Sequence, residues 1–320
     1  MNTHSGTNQR KHKRALKGVV WFSALLALLF LGVFAFFRLT GGASFRTSMV
    51  VVGNPMHVVS WNADRTAATI LDLPEDVSID ATGGYGTYAI GSLFTLDQLD
   101  HKNGRVFVSS VSDAVGLPIF WYIEGSDRSV GMTPVMLVRN IFSWGNVWKA
   151  LTGQLHGTLP LLPRIAYTLA AQGVSSDAVT AVSAQNAFIS ASQPDGSTIR
   201  KLDTNRLDYS IDTAFLDSGL RAEGLSVAVY NTTKVPLVGQ KAARVLSHLG
   251  LQLVFVGNAP ADLTACSLAG SPSALKSKTA VFIRSYFHCT GEQTPNGVNS
   301  VSDLSLFLGT EYASQFVASK

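Results

Sequence analysis

A continuous apolar run, Gly18–Phe37, restricts the fold of this 320-residue chain more than any other feature. Ser23 and Trp21 are its only side chains that can form hydrogen bonds. A helix rises about 1.5 Å per residue, so a helix of this length spans the hydrocarbon core of a bilayer, which is about 30 Å thick. We therefore expect a single transmembrane helix over residues 18–37.

Basic residues cluster before this run. The first 40 residues hold six Lys and Arg and no acid, because Asp64 is the first acidic residue. This asymmetry predicts a basic cytoplasmic tail over residues 1–17 and places the rest of the chain outside the cytoplasm, at the cell membrane. Beyond residue 40 the chain carries 19 bases against all 21 acids. The net charge of +4 therefore comes from the tail and gives no support to nucleic-acid binding.

A cleaved signal peptide is the alternative interpretation of the same run, with Gly41-Gly42-Ala43 as its cleavage site. The core of a signal peptide usually has about 7–15 apolar residues, and this run is longer. Its length favours an uncleaved signal-anchor.

Residues 44–218 alternate β-rich runs with apolar helical patterns, which predicts a mixed-sheet α/β domain. We expect strands at Met49–Val52, Met56–Trp61, Ala67–Leu73 and Ile119–Ile123, and a hairpin turn at Asp195-Gly196. We expect helices at Ala89–Leu99, Phe107–Val115 and Leu161–Ala171. Another helix, capped by Thr133, continues to Leu151 unless Gly145-Asn146 breaks it.

Residues 224–320 predict a smaller α/β domain after a polar linker at Asp217–Gly224. The domain begins with a βαβ unit, whose crossover should be right-handed. Its strands are Leu225–Tyr230 and Leu251–Val256, around the helix Val235–Leu249. A helix at Ser273–Phe287 and a closing strand at Leu304–Leu308 complete the prediction.

The two cysteines of the chain, Cys266 and Cys289, flank the last predicted helix. An oxidising compartment favours a disulfide between them, worth roughly 3 kcal/mol in the chain-entropy description. Two buried free thiols are the alternative, and a zinc site would have only His288 nearby.

Three stretches of the first region resemble the LytR-CpsA-Psr family. Asp72-Leu73-Pro74-Glu75-Asp76 is similar to the family's Ser-Ile-Pro-Arg-Asp turn, with Glu75 in place of the arginine. Gly84–Ile90 resembles its glycine-rich segment, and Phe107–Gly116 resembles the helix and turn that follow. In the second region, Val227–Thr233 with Gly239, Ala242 and Leu246 resembles the LytR C-terminal domain.

The resemblance implies a transfer of glycopolymer from a polyprenyl pyrophosphate carrier to the cell wall. Such chemistry needs arginines to hold the pyrophosphate and acids to hold a divalent cation. The candidate catalytic residues are Asp72, Asp76, Arg65 and Arg105, and the candidate ligand-binding residues are Arg46, Arg128 and Arg139. Asp72, Glu75 and Asp76 are the candidate ligands of Mg²⁺, although an exposed acidic turn is the simpler interpretation.

Glu75 reverses the charge of the family's arginine between Asp72 and Asp76. Two unit charges about 4 Å apart interact by about 4 kcal/mol at an effective dielectric constant of 20, so pyrophosphate binding at this turn should be weakened. Convergence of the candidate arginines on the turn would restore the transferase interpretation. The apolar helices of residues 134–171 fit either a wall for a polyprenyl chain or an ordinary helical core.

We therefore expect an envelope protein that takes part in cell-wall or surface-glycopolymer assembly with degraded catalysis. Its partners would be the membrane and a lipid-linked glycan, peptidoglycan or another protein. One alternative is an active phosphotransferase that depends on a divalent cation. Another is a scaffold or regulator that binds only protein.

Overall fold

The computed structural model describes residues 21–32, 45–125, 131–192, 196–260, 262–292 and 302–317. Residues 21–32 form helix α1. Among the described residues, no helix is both long and apolar enough to cross a membrane. The prediction of a transmembrane helix over residues 18–37 is therefore wrong for the described structure. Helix α1, residues 21–32, rises only about 18 Å. The tail 1–17 and residues 18–20 and 33–37 lie outside the described ranges.

Residues Met1–Gly42 and Ala43–Lys320 form two separate compact units. The described part of the second unit contains three sheets, so the mixed α/β class is confirmed. Its strands are β1 (Thr47–Val52), β2 (Met56–Trp61), β3 (Ala68–Leu73), β4 (Val77–Ala81), β5 (Gly86–Ala89), β6 (Ile119–Glu124), β7 (Val179–Val182), β8 (Phe188–Ser192), β9 (Thr198–Leu202), β10 (Ser226–Asn231), β11 (Gln252–Asn258), β12 (Ser267–Gly270) and β13 (Leu304–Leu308). Its helices are α2 (Ile90–Leu99), α3 (Arg105–Val115), α4 (Pro134–Ile141), α5 (Trp144–Leu151), α6 (Leu161–Gly173), α7 (Thr204–Ile211), α8 (Ser218–Glu223), α9 (Val238–His248), α10 (Lys278–Phe287) and α11 (Thr310–Ala313).

The central sheet has the strand order β6-β1-β2-β3-β7. The predicted antiparallel strands β1, β2 and β3 are confirmed, and β6 and β7 add to them in parallel. Side chains alternate between the two faces of each strand. Met49 and Val59 pack against α4 and α6 on one face, which we call the helical face. Val50 and Val58 pack against α2 and α3 on the other face.

A second sheet, β5-β4-β9-β8, forms from segments that the sequence only partly predicts. The antiparallel pair β8–β9 is present, and residue 195 of its predicted turn lies outside the described ranges. Strand β5 was not expected, because its segment is rich in glycine. Gly83 and Gly84 have φ angles of 72° and 77°, and they turn the chain so that Gly86–Ala89 can pair with β4.

The predicted helix from Thr133 to Leu151 is two helices, and it divides at Phe142–Ser143 rather than at Gly145-Asn146. The Ser143 hydroxyl accepts a hydrogen bond from the Asn146 backbone N–H and so begins α5 as an N-cap. The Asn146 side chain donates to the carbonyl oxygens of Asn140 and Ile141, each at 3.0 Å. The junction is therefore stabilised by local polar contacts.

The third sheet, β11-β10-β13-β12, contains the predicted βαβ unit, in which β10 and β11 are parallel and α9 connects them. Strand β12 was not predicted. The predicted helix Ser273–Phe287 is α10, which begins at Lys278 because Ser277 caps it. The segment expected as a linker is helix α8, which Asp217 caps and Gly224 ends. The disulfide between Cys266 and Cys289 is present.

Candidate functional site

The acidic turn Asp72–Asp76 ends strand β3 and connects it to β4. His57 Nδ1 lies 2.7 Å from Asp72 Oδ1, and the Asp72 side chain is 54% exposed. Asp76 accepts a hydrogen bond of 3.4 Å from the exposed Arg200 guanidinium. The Glu75 carbonyl oxygen accepts from Gly91 N at 3.2 Å. The two aspartates therefore already face cationic or proton-donating side chains.

A shallow depression of about 590 Å³ lies beside this turn, lined by Asn54, Pro74, Glu75 and Asp76 among others. Within the described ranges, no group of three or more His, Cys, Asp and Glu side chains could hold a metal ion. Asp72, Glu75 and Asp76 thus do not fit a magnesium ion, because their carboxylates do not converge and two of them are bonded elsewhere.

Arg46 and Arg65 lie at the opposite end of β3. The Arg46 guanidinium donates to the Ser60 carbonyl oxygen and to Thr69 Oγ1, at 3.3 and 3.2 Å. Arg65 lies in the β2–β3 turn, with its Cζ 5.3 Å from the centroid of the Tyr167 ring. Thr69 lies three residues before Asp72 along the strand, so both guanidinium groups are about 10 Å or more from that aspartate.

The other candidate arginines are also engaged elsewhere or remote from the turn. Arg139 donates to the carbonyl oxygens of Ala171 and Val174, at 3.3 and 2.8 Å, and so caps the end of α6. Arg105 begins α3 at an exposed position. Arg128 lies outside the described ranges. Of the described candidates, none forms a hydrogen bond or ion pair with Asp72, Glu75 or Asp76. The convergence that would restore the transferase interpretation is not found among them.

His57 occupies a row of side chains across the central sheet that the sequence analysis did not single out. The register pairs Ile123 with Val51, Val51 with His57, and His57 with Asp72. Since Ile123 and Val51 pack on the helical face, His57 and Asp72 lie on that face too. His57 is only 4% exposed, and its buried Nε2 has no hydrogen-bond partner within the described part of the chain.

Arg164 of α6 lies over the same end of the helical face. A Cβ atom on Gly157 would be only 3.4 Å from Arg164 Nη2, and Gly157 pairs with Ile123 in the row that contains His57. Arg164 is 5% exposed. Burial lowers its pKa, and among the described residues no hydrogen bond or ion pair compensates its charge. We call Arg164 and His57 together the buried cation site.

Sequence signals for this site existed, although they were weak. Arg164 shares the buried side of α6 with Tyr167, Thr168 and Ala171, and it is the one charged residue in that apolar helix. The pairing of His57 with Asp72 follows from the hairpin only once the turn length between β2 and β3 is known.

A larger cleft of about 620 Å³ lies between α3 and β6 on one side and α9, α10 and α11 on the other. Two pairs of its polar groups contact each other. Lys241 pairs with Asp113, and Tyr286 Oη lies 2.7 Å from Ser112 Oγ. Burial raises the pKa of Tyr286 to about 12, so its hydroxyl stays protonated. These contacts join α3 to α9 and α10 across the cleft.

Comparison with protein-family models gives no match, and no curated protein sequence matches the chain. Similar solved structures include Bacillus subtilis TagT, with a TM-score of 0.37 and 13% identity over 52% of this chain and 87% of that one. Bacillus subtilis TagV has a TM-score of 0.38 and 10% identity over 65% and 99%. A transcriptional regulator from Enterococcus faecalis has a TM-score of 0.39 and 13% identity over 66% and 90%. At this level of similarity, the function has to be argued from the chain's own residues.

Proposed function

We propose that this chain binds a phosphate-containing, lipid-linked glycan and takes part in assembly of cell-wall or surface glycopolymers, with little or no transferase activity. The resemblance of its motifs to the LytR-CpsA-Psr family suggests the class of ligand. The disulfide between Cys266 and Cys289 is consistent with an oxidising envelope compartment.

The observation that carries the proposal is Arg164, a buried residue whose guanidinium has no hydrogen-bond or ion-pair partner among the described residues. Removing a charge from water is costly unless a partner of opposite charge compensates it. Because Arg164 is 5% exposed and no described side chain pairs with it, an anionic ligand is the natural counterion. Guanidinium groups bind phosphate oxygens strongly, often through two parallel hydrogen bonds.

His57 supplies a second group for the same ligand. Asp72 holds Nδ1, so Nε2 is the ring nitrogen left to face the layer between the sheet and α6. His57 and Ile123 are two strands apart, a distance of about 10 Å, with Arg164 above the Ile123 end. A pyrophosphate, which has two phosphate groups, suits this spacing better than a single small anion.

The acidic turn Asp72–Asp76 is the reason to expect weak or absent transferase activity. Phosphoryl transfer depends on cations that stabilise the charge of the transferring group. Asp72 and Asp76 are bonded to His57 and Arg200, and the described candidate arginines lie elsewhere. The proposed ligand would therefore be held without the groups that activate it.

Binding can be tested with the full chain and two probes, inorganic pyrophosphate and a polyprenyl-pyrophosphate-linked oligosaccharide. Arg164→Gln should weaken the binding of both about ten- to hundredfold, the loss expected for a charged hydrogen-bonded contact. Arg139→Gln is the matched control, because that guanidinium caps α6 and should not touch the ligand. Unchanged affinity in Arg164→Gln, or an equal loss in Arg139→Gln, would refute the assignment.

A further inference from the structure

We propose that the exposed side of α5 and α6 is a docking surface for an anionic lipid bilayer, which the protein would contact peripherally. The surface consists of Trp144, Trp148 and Leu151 of α5 together with Leu161, Leu162 and Leu169 of α6. This proposal concerns the second compact unit only and does not depend on the ligand of the buried cation site.

Helix α5 turns large apolar side chains toward solvent. Trp144, Trp148 and Leu151 are 52%, 68% and 58% exposed. Their spacing of four and three residues places them on one side of the helix. The buried side of the helix carries Asn146 and Val147. Helix α5 therefore exposes large apolar side chains to water, where a surface helix ordinarily carries polar ones.

Helix α6 continues the same surface. Leu161, Leu162 and Leu169 are 39%, 49% and 54% exposed. The Gln172 side chain donates to the Phe142 carbonyl oxygen at 3.4 Å, which ties the end of α6 to the start of α5. Because the end of α6 lies beside the start of α5, the two helices run side by side in opposite directions. Their exposed leucines and tryptophans therefore belong to neighbouring helices rather than to scattered positions.

The positive charge of the segment that contains α5 and α6 favours a negatively charged partner. Residues 131–176 contain no Asp or Glu, whereas the exposed Arg139, Lys149 and His156 lie within them. Lys149 is exposed on α5, directly after Trp148. Exposed tryptophan beside basic residues is the combination that favours the interface of an anionic bilayer, since the indole ring suits the headgroup region and lysine is attracted to acidic headgroups.

A second copy of this chain fits the surface less well. A symmetric contact through α5 and α6 would bring two Lys149 side chains and two acid-free segments together. Like charges at such an interface oppose association. An acidic lipid surface supplies the missing negative charge and accepts the exposed apolar side chains.

Tryptophan fluorescence of the full chain with brominated lipids tests the proposal. A Trp21→Phe, Trp121→Phe background removes the tryptophan of α1 and the half-buried one of β6, and Trp61 is fully buried. In this background, vesicles of brominated phosphatidylglycerol should quench the emission. Adding Trp144→Phe and Trp148→Phe should remove that quenching. Lys149→Glu should weaken vesicle binding about tenfold, whereas Lys276→Glu, an exposed lysine of the C-terminal half, should not change it.

Three results would overturn the proposal. The first is emission that brominated phosphatidylglycerol does not quench. The second is equal quenching by neutral phosphatidylcholine vesicles that Lys149→Glu does not change, which would indicate apolar contact without charge selection. The third is self-association in the absence of vesicles that Trp144→Ser with Trp148→Ser abolishes, which would assign the surface to a second copy.

Discussion

Arg164 and Arg244 show how differently two partly or fully buried arginines are accommodated in this molecule. Arg244 donates to Asp208 through Nε and Nη2 and to the carbonyl oxygens of Asp113 and Ala114. Arg164 has no comparable partner in the described structure and is more deeply buried. The first residue has the contacts of a structural arginine, and the second is the residue for which we propose an anionic ligand.

Substitutions at these two positions should change stability in opposite directions. Arg164→Met should raise the free energy of unfolding by about 1 kcal/mol, because it removes an unpaired buried charge. Arg244→Met should lower it by about 2 kcal/mol, because it leaves Asp208 and two carbonyl groups without their donor. Urea denaturation of the full chain measures both changes. A marked loss of stability in Arg164→Met would show that the guanidinium has a structural partner.

At the residue scale, sequence reasoning located the acidic turn and its neighbours but not the buried cation site. Motif resemblance pointed to Asp72, Glu75 and Asp76, which the structure places at an exposed turn. His57 and Arg164 were not predicted, because their importance depends on burial and on the absence of partners. Those properties appear only when α6 is laid over the central sheet.

At the element scale, the side-chain amide of Asn146 stabilises the junction between α4 and α5. Asn146 is 8% exposed and donates to two carbonyl oxygens that end α4. Asn146→Ala should lower the free energy of unfolding by about 2 kcal/mol, because the carbonyl groups lose their donor inside the protein. Gln154→Ala, at an exposed position after α5, is the control and should change it little. Equal stability of the two variants would contradict this role of Asn146.

The disulfide between Cys266 and Cys289, which are 23 residues apart in the sequence, ties the start of β12 to the residues that follow α10. Reduction should lower the free energy of unfolding by about 3 kcal/mol, the value expected for a loop of this length. Urea denaturation with and without a thiol reductant measures the difference. A Cys266→Ala, Cys289→Ala variant should be insensitive to the reductant, and a wild-type chain equally insensitive would contradict the prediction.

Strongly patterned elements were predictable, and elements fixed by single caps or turns were not. Strands β1 to β3 and the β10–α9–β11 unit follow from hydrophobic periodicity and turn residues. The start of α5 depends on Ser143, which lies inside the apolar helical pattern, and that of α10 depends on Ser277, although Ser271 or Ser273 could have served as the cap. Strand β5 depends on glycine φ angles, which the sequence permits without requiring them.

Contacts of α9 with the end of α3 join the N-terminal and C-terminal halves of the second unit. His248 Nδ1 lies 2.8 Å from the Gly116 carbonyl oxygen, and Arg244 donates to the last carbonyl groups of α3. Phe45 and Phe120, from the N-terminal half, pack in the core of the C-terminal half. These contacts account for the clustering of Ala43–Lys320 as one unit. The division into residues 44–218 and 224–320 stays a prediction.

His248 should make this joint sensitive to acid. Burial lowers the pKa of His248 below its ordinary value of 6.5, although Asp208 and the Gly116 carbonyl oppose the shift. The unfolded chain therefore binds the proton more tightly than the folded one. The stabilisation is complete above the unfolded-state pKa and is lost as the pH falls through the lower folded-state pKa.

Urea denaturation midpoints measured above pH 7 and near pH 5, on either side of about 6.5, test this pH dependence of the folding stability. The wild type should lose more stability on acidification than His248→Gln. His156→Gln, an exposed histidine, should behave like the wild type. The same acid sensitivity in His248→Gln would assign the effect to other groups.

The measurement that tests the central proposal most directly follows one ligand through binding and transfer. The full chain is incubated with a labelled polyprenyl-pyrophosphate-linked oligosaccharide, magnesium and isolated cell-wall acceptor. We predict that the label stays lipid-linked and remains bound to the protein, and that Arg164→Gln releases it. Movement of the label onto the acceptor, abolished by Asp72→Asn or Asp76→Asn, would contradict binding without transfer and would identify an active phosphotransferase.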